Sequence, residues 1–353
     1  MGLSQYRQPE PAALRGFIEG LEGLQEYLRT NAGKRLNDAE QQFDQSLAAQ
    51  PDFVPAQYYK AIVLTHARKA DEAIEILEVL DQEEVPFRAE VLYNLAFAYA
   101  KTYRYENVKR GLEVIDKAEE IARQQERDDL ELLAQAMKAF VRAVFGAYEL
   151  GNPDDFVFRQ KEYLPKSVVL AKSVLDNPKL KSLPLETNIA VQVEANNAAG
   201  GACMYMGQYS GRFESSTRDY WKLAEDHLAA ALRLHPRNVR ALDNLATLKL
   251  MAACRAMEHE ELGDAKKLLV KAVEIEKRAV SYHPHDRFRY VILARSYALA
   301  GKWKDAEASA DSILKEPGVA SEEEAKKLKD LIEQRDIEPI LKRYRTEEKS
   351  MTQ

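Results

Sequence analysis

Residues 89–108 read A-E-V-L-Y-N-L-A-F-A-Y-A-K-T-Y-R-Y-E-N-V, and residues 287–306 read R-F-R-Y-V-I-L-A-R-S-Y-A-L-A-G-K-W-K-D-A. Both place a Tyr three residues after a Leu-Ala pair, then an aromatic and then a small residue. In the second stretch, and just beyond it, Leu293, Ala294, Tyr297 and Leu299, then Trp303, Ala306, Ala310, Ile313 and Leu314, fall at helical spacing on either side of Gly301-Lys302. That pattern predicts a helix hairpin, in which neither helix buries its apolar stripe without the other. A second register agrees: Ala39 with Phe43 recurs as Ala73 with Leu77, a shift of 34 residues, and the next step, to Val108, is 35. Small residues let two helices approach, while Phe43, Leu77, Leu112 and Trp303 fill the gaps between them.

Together with a helix ending such as A-E-Q-Q-F-D-Q-S-L-A-A-Q-P at 39–51, these stretches resemble the tetratricopeptide repeat family. The fit is good for helix B at 36–49, for the pair at 54–81 and for the pair at 287–315; units starting near Ala89 and Val239 fit on their first helix and drift on their second. The resemblance implies an all-α superhelix of about six to seven antiparallel helix pairs with a C-terminal capping helix.

The expected organisation is a flexible N-terminus over 1–10, a solenoid over 11–320, a capping helix and C-terminal segment over 321–345, and a disordered tail over 346–353. Within the solenoid, 11–115 is regular, 116–286 has extended irregular helices, and 287–315 returns to the regular repeat. The lengthening shows in the step of 48 residues between Pro236 and Pro284, and in a long unit between Asp128 and Thr187 that contains Pro153, Pro165, Pro178 and Pro184. Ser321-Glu322-Glu323-Glu324 reads as a capping box opening a charged helix to about Arg335.

Composition narrows the function classes. With 353 residues, 46% of them hydrophobic, and only 15 Gly and 13 Pro, the chain reads as ordered and helix-rich. A net charge of -6 argues against a nucleic-acid partner, which normally selects a strong basic bias. Cys203 and Cys254 are too few for a disulfide framework, so a reducing, cytoplasmic setting is expected. The first residues lack the apolar core of a secretory signal, and no apolar run approaches the length of a membrane span.

Catalytic motifs fail at named residues. His259-Glu260 opens a zinc-protease motif whose second His would be at 263, where Gly263 stands. Gly33-Lys34 lacks the earlier Gly of a phosphate loop, and Arg35 replaces its Ser or Thr. The cluster His283-Pro284-His285-Asp286 suggests a metal, yet His235-Pro236-Arg237-Asn238 occupies the same repeat position with one of those ligands kept, which marks both as helix-ending turns. No catalytic residue, cofactor or metal is expected.

If the resemblance holds, the concave face is lined by the first helix of each pair, and the residue before Leu-Ala is commonly an Asn that bonds a ligand's backbone; Asn94 and Asn244 stand at that place. Asn has poor propensity inside a helix, so its side chain serves something else, a ligand or a neighbouring helix. Around Asn94 the same face carries Tyr58, Tyr59, His66, Tyr93 and Phe97, and around Asn244 it carries Arg240, Thr247 and Arg295. Such a groove suits an extended peptide or a helix with an acidic end. The Gly- and Ser-rich stretch from Gly207 to Tyr220 breaks the helical period and reads either as a plain connection or as a lid with Arg212 and Phe213 as contacts. The expected function is a non-catalytic scaffold or adaptor that binds a partner protein or peptide; the alternatives are a small-peptide sensor without its own DNA-binding domain and an unrecognised enzyme.

Overall fold

Helix after helix in this chain ends on the same device. A residue with positive φ follows the helical turn at Arg68 (64°), Tyr103 (52°), Glu126 (55°), Glu260 (61°), Gly301 (69°) and Arg335 (54°). At five of these ends the next amide reaches back to a carbonyl five residues earlier: Lys69 to Leu64 at 2.8 Å, Arg127 to Ala122 at 2.9 Å, Glu261 to Ala256 at 2.8 Å, Lys302 to Tyr297 at 2.9 Å and Asp336 to Leu331 at 2.9 Å. This closure satisfies the last orphan carbonyls and turns the chain back on itself.

The computed structural model describes residues 8–30, 33–83, 85–147, 153–213, 215–284, 287–315 and 322–345. Its helices run as antiparallel pairs: α1 (Pro11–Thr30) with α2 (Gly33–Ala49), α3 (Val54–His66) with α4 (Ala70–Gln82), α5 (Arg88–Lys101) with α6 (Tyr105–Gln124), and α7 (Asp128–Ala147) with α8 (Pro153–Leu175). After a short 3-10 turn at Pro178–Ser182 come α9 (Leu185–Gln208) with α10 (Thr217–Leu234), α11 (Val239–Glu258) with α12 (Leu262–Tyr282), and α13 (Arg287–Leu299) with α14 (Trp303–Lys315). Two helices close the described chain, α15 (Glu322–Glu333) and α16 (Glu338–Tyr344). The capping helix expected to end near Arg335 is α15, and the C-terminal segment after the left-handed Arg335 holds a further short helix, α16; Ser321, the expected cap, lies outside the described residues, as do 1–7 and 346–353.

The small-and-large register works as the sequence implies. Ala39, Phe43, Ala73 and Leu77 are all fully buried. Phe43 fits because Gly20 on α1 faces it: a Cβ there would lie 2.7 Å from the ring. Buried clusters succeed one another along the chain, from the α1–α3 layer through α3–α9 to α9–α16, with Tyr59 and Ile62 touching both of the first two. Each hairpin therefore packs both within itself and against its neighbours.

Odd-numbered helices also pack on one another in succession, α1 on α3, α3 on α5 and so on to α13 on α15. They form the inner layer of the curve. The curve is tight enough for its ends to meet. The Tyr27 ring of α1 lies edge-on to His283, just after α12, at 5.9 Å, and Arg68, after α3, sits 5.6 Å over Phe288 of α13. His235, after α10, hydrogen-bonds the Arg29 backbone. The two matching His-Pro turns of the sequence are thus both pressed against the first hairpin.

Candidate partner-binding surface

The inner layer divides into two sections according to what fills it. In the N-terminal section the fold's own side chains occupy the concavity. Tyr58 is buried, and Asn94 Nδ2 donates to its hydroxyl at 2.8 Å and to the Glu90 carbonyl of its own helix at 2.9 Å. Asn94 therefore joins α5 to α3, the neighbouring-helix role. Tyr59 turns toward the first hairpin, 5.8 Å from the Phe17 ring and stacked on Phe43 at 6.3 Å. Burial pushes the Tyr58 and Tyr93 hydroxyls well above the usual tyrosine pKa, Glu194 adding to the effect at Tyr93.

A chain of rings then crosses the concavity. His66 lies 5.4 Å from Tyr27 and 5.6 Å from Phe97, and Phe97 lies 6.0 Å from Phe140 on α7. Arg240, on α11, reaches over these rings, 4.6 Å from Phe140 and 5.5 Å from Phe97, while its Nη1 donates to Glu194 Oε1 on α9. Burial disfavours the Arg240 charge, but Glu194 and the tyrosines Tyr93 and Tyr103 outweigh it and hold the guanidinium above its ordinary pKa. The same burial, with Lys101, Arg240 and His283 nearby, drives His66 down to about 3, so it is neutral at physiological pH.

The C-terminal section is different, because a helix fills it. Asn244 and Thr247 are half-buried on α11, with the Asn244 amide facing Gly201 of α9. Arg295 of α13 donates from Nη1 to the Tyr344 hydroxyl of α16 at 3.0 Å. Ile340 and Tyr344 are buried in the cluster that holds Met251, Cys254, Tyr297 and Leu299. The site residues named from sequence thus form two groups: Tyr58, His66, Tyr93, Asn94, Phe97 and Arg240 together in the first, and Asn244, Thr247 and Arg295 along the second.

Arg212 and Phe213, read as lid contacts, are anchored in the fold. Arg212 donates to Gln160 Oε1 and stacks 4.7 Å over Tyr209, and Phe213 is buried against Ala143, Leu164 and Met206. Sequence reasoning missed α16, although Ile340 and Tyr344 stand one helical turn apart after a Pro at the helix start. It also missed a cleft of about 490 Å³ between α10, α11 and α12, lined among others by Trp221, Lys249, Lys267 and Lys271. Much of the charge in that cleft is matched locally, Lys249 to Glu225 at 2.6 Å and Lys267 to Asp264 at 2.9 Å.

Among the described residues no group of three or more His, Cys, Asp or Glu side chains could hold a metal, and no helix is long and apolar enough to cross a membrane. Cys203 and Cys254 are buried, and burial pushes both thiols up to about 12, which keeps them protonated and poor nucleophiles.

Residues 32–148 match the family model described as Psidin, N-terminal TPR repeats region. A comparison with curated protein sequences returns no match. Among solved structures the chain is similar to IFIT1, as a monomeric mutant with Gppp-AAAA, at 16% identity and a TM-score of 0.38 over 86% of this chain and 69% of that one. It is also similar to the P58(IPK) TPR domain, at 13% and 0.28 over 90% and 98%, and to yeast Tom70, at 10% and 0.24 over 94% and 98%. Residues 32–148, spanning α2 to α7, match a family model of tetratricopeptide repeats, and the described residues form an all-α array of successive antiparallel helix pairs.

Proposed function

We propose that the chain is a non-catalytic scaffold that holds a partner protein or peptide against its inner face, in the section formed by α9, α11 and α13. One observation carries the reading: that section already holds a helix, α16, through two buried side chains and a tyrosine hydroxyl bonded to Arg295. A surface that accepts one short helix has the shape and the donors to accept another. The partner in this reading is a protein or peptide and not a nucleic acid, on the net charge of -6. A cytoplasmic setting belongs to the same proposal, on two cysteines that are free and buried apart.

A photo-crosslinking residue placed at Thr247, on the inner face, and another at Leu223, an exposed position on α10, test it in cells. The expected result is one dominant protein crosslinked from 247 and none from 223. Crosslinks from 223 alone would move the binding surface to the outer layer. A regulatory receptor for small peptides is the second reading, favoured by the contact between the first hairpin and the His-Pro turns, which gives the curve a seam that a ligand could tighten. Short peptides copurifying with the chain, identified by mass spectrometry, would select it.

A further inference from the structure

We infer that α16 is a resident, displaceable occupant of the inner face, and that the partner which replaces it is a short helix carrying a branched apolar residue and a tyrosine one turn apart. The inference rests on the proposed function and names what that surface recognises.

Capping does not explain α16. The last hairpin is already covered by α15, which packs on α13 and α14 and buries Ala325, Leu328 and Ile332. Beyond it the chain takes the left-handed turn at Arg335 and directs α16 back onto α11 and α13. The recognition set is compact. Ile340 and Tyr344 are 3% and 5% exposed and lie on one helical face. Arg295 fixes the Tyr344 hydroxyl, Gln208 at the end of α9 donates to the Arg343 carbonyl at 3.2 Å, and Arg345 Nε donates to Glu258 of α11 at 2.8 Å. Three successive inner helices thus each contribute one polar contact around two apolar anchors. The opposite face, with Glu338, Lys342 and Arg343, is exposed.

The hold is weak by construction. Seven residues are too few for a helix that stands alone in water, so α16 is helical because it is docked. Burying Ile340 and Tyr344, with Ile337 and Leu341 partly covered beside them, is set against ordering the whole segment, which leaves only modest net affinity. What keeps α16 in place is its tether, four residues from α15, which gives an effective concentration on the order of millimolar. A free helix with the same anchors and more contacts would win.

The test needs no cellular partner. A fluorescein-labelled peptide of residues 336–345 is titrated by anisotropy into the full wild-type chain and into the full chain with Ile340→Glu and Tyr344→Glu, whose α16 cannot dock. The double variant is expected to bind the peptide more tightly than wild type, about 10-fold if the peptide's own Kd is about 0.1 mM, since a tethered competitor at about 1 mM weakens apparent binding by the ratio of its effective concentration to that Kd. Adding Arg295→Ala should weaken that binding several-fold, and a peptide with both anchors changed to Ala should not bind. Equal or absent binding to wild type and to a double variant of unchanged helix content overturns the inference. Hydrogen exchange on the wild-type chain supplies an arm that does not depend on the variants' folding. Millimolar peptide should strip protection from α16 and leave α15 unchanged; unchanged protection in α16 also overturns the inference. If this inference fails while Thr247 still crosslinks a partner, the scaffold reading survives without the helix. If peptide binds and no partner crosslinks, the recognition site stands and the scaffold role falls.

Discussion

Replacing Arg240 with Ala tests a strut that spans the concavity. Its guanidinium joins α11 to Glu194 on α9 and covers the rings of Phe97 on α5 and Phe140 on α7. The arginine side chain is 22% exposed and the glutamate 12%, so neither end is free to rehydrate when its partner is removed. Breaking a buried pair from one side costs about 3–5 kcal/mol. The residual exposure of Arg240 reduces that to about 3 kcal/mol, a figure that includes about 1 kcal/mol for losing the ring contacts. Opening of the helices around the strut should then be about 100-fold more frequent, at about 1.4 kcal/mol per decade.

A repeat array opens locally as well as globally, so the assay must be local. Hydrogen exchange followed on peptides from α9 and α11, with α15 as an internal reference, reads the opening directly. Glu194→Ala should give a comparable loss. The paired change Glu194→Gln with Arg240→Met, which removes the charges and keeps the volume, should cost under about 1 kcal/mol. If Arg240→Ala changes exchange in α9 and α11 by less than about 5-fold, Arg240 merely lies on the surface and the crossing strut does not exist. A paired change as damaging as the single one would refute the electrostatic part alone.

Gly20→Ala would press a methyl to 2.7 Å from the buried Phe43 ring; a net loss of about 1–2 kcal/mol is expected after the gain in helix propensity, and Phe43→Leu in the same chain should recover most of it in urea unfolding. Glu260, at φ 61° in the turn after α11, holds a conformation that glycine adopts without strain, so Glu260→Gly should stabilise the chain by about 0.5–1 kcal/mol, with an increase in the urea midpoint and an unchanged slope. His66 titrates at about 3 in the folded chain against an ordinary 6.5, and between those values the unfolded chain takes up a proton that the folded chain does not. Its contribution to stability is complete above about pH 6.5 and falls by about 1.4 kcal/mol per pH unit as the pH drops toward about 3. His66→Gln should therefore lose about 2.5 kcal/mol less than wild type between about pH 7 and about pH 4.5; equal losses would show that His66 is hydrated.

The hairpins were legible because their determinants are local. Ala39, Phe43, Ala73 and Leu77 are spaced to meet within one unit or between neighbours, and each is buried at the contact that its spacing implies. Asn94 was legible only as a choice between two partners, since the cost of an Asn inside a helix says that its side chain is used but not by what. The structure puts Tyr58, on the preceding inner helix, in that role. The end of the capping helix near Arg335 was legible, but α16 was not, since seven residues are too few for a periodic pattern to declare a helix.

The concavity was illegible for a different reason. Whether Phe97 faces solvent or another ring depends on how far the curve has turned by the time the chain reaches α7 and α11, and that turn is the sum of small rotations over several hairpins. No window of one or two repeats contains it. The matched His-Pro turns illustrate the point: equivalence of register read both as helix ends, correctly, yet only the accumulated rotation brings His235 to the Arg29 backbone and His283 to the Tyr27 ring. The same sum sets the shape of the inner face. It draws the N-terminal section shut over Phe97, Phe140 and Arg240 while leaving between α9, α11 and α13 a space that α16 occupies.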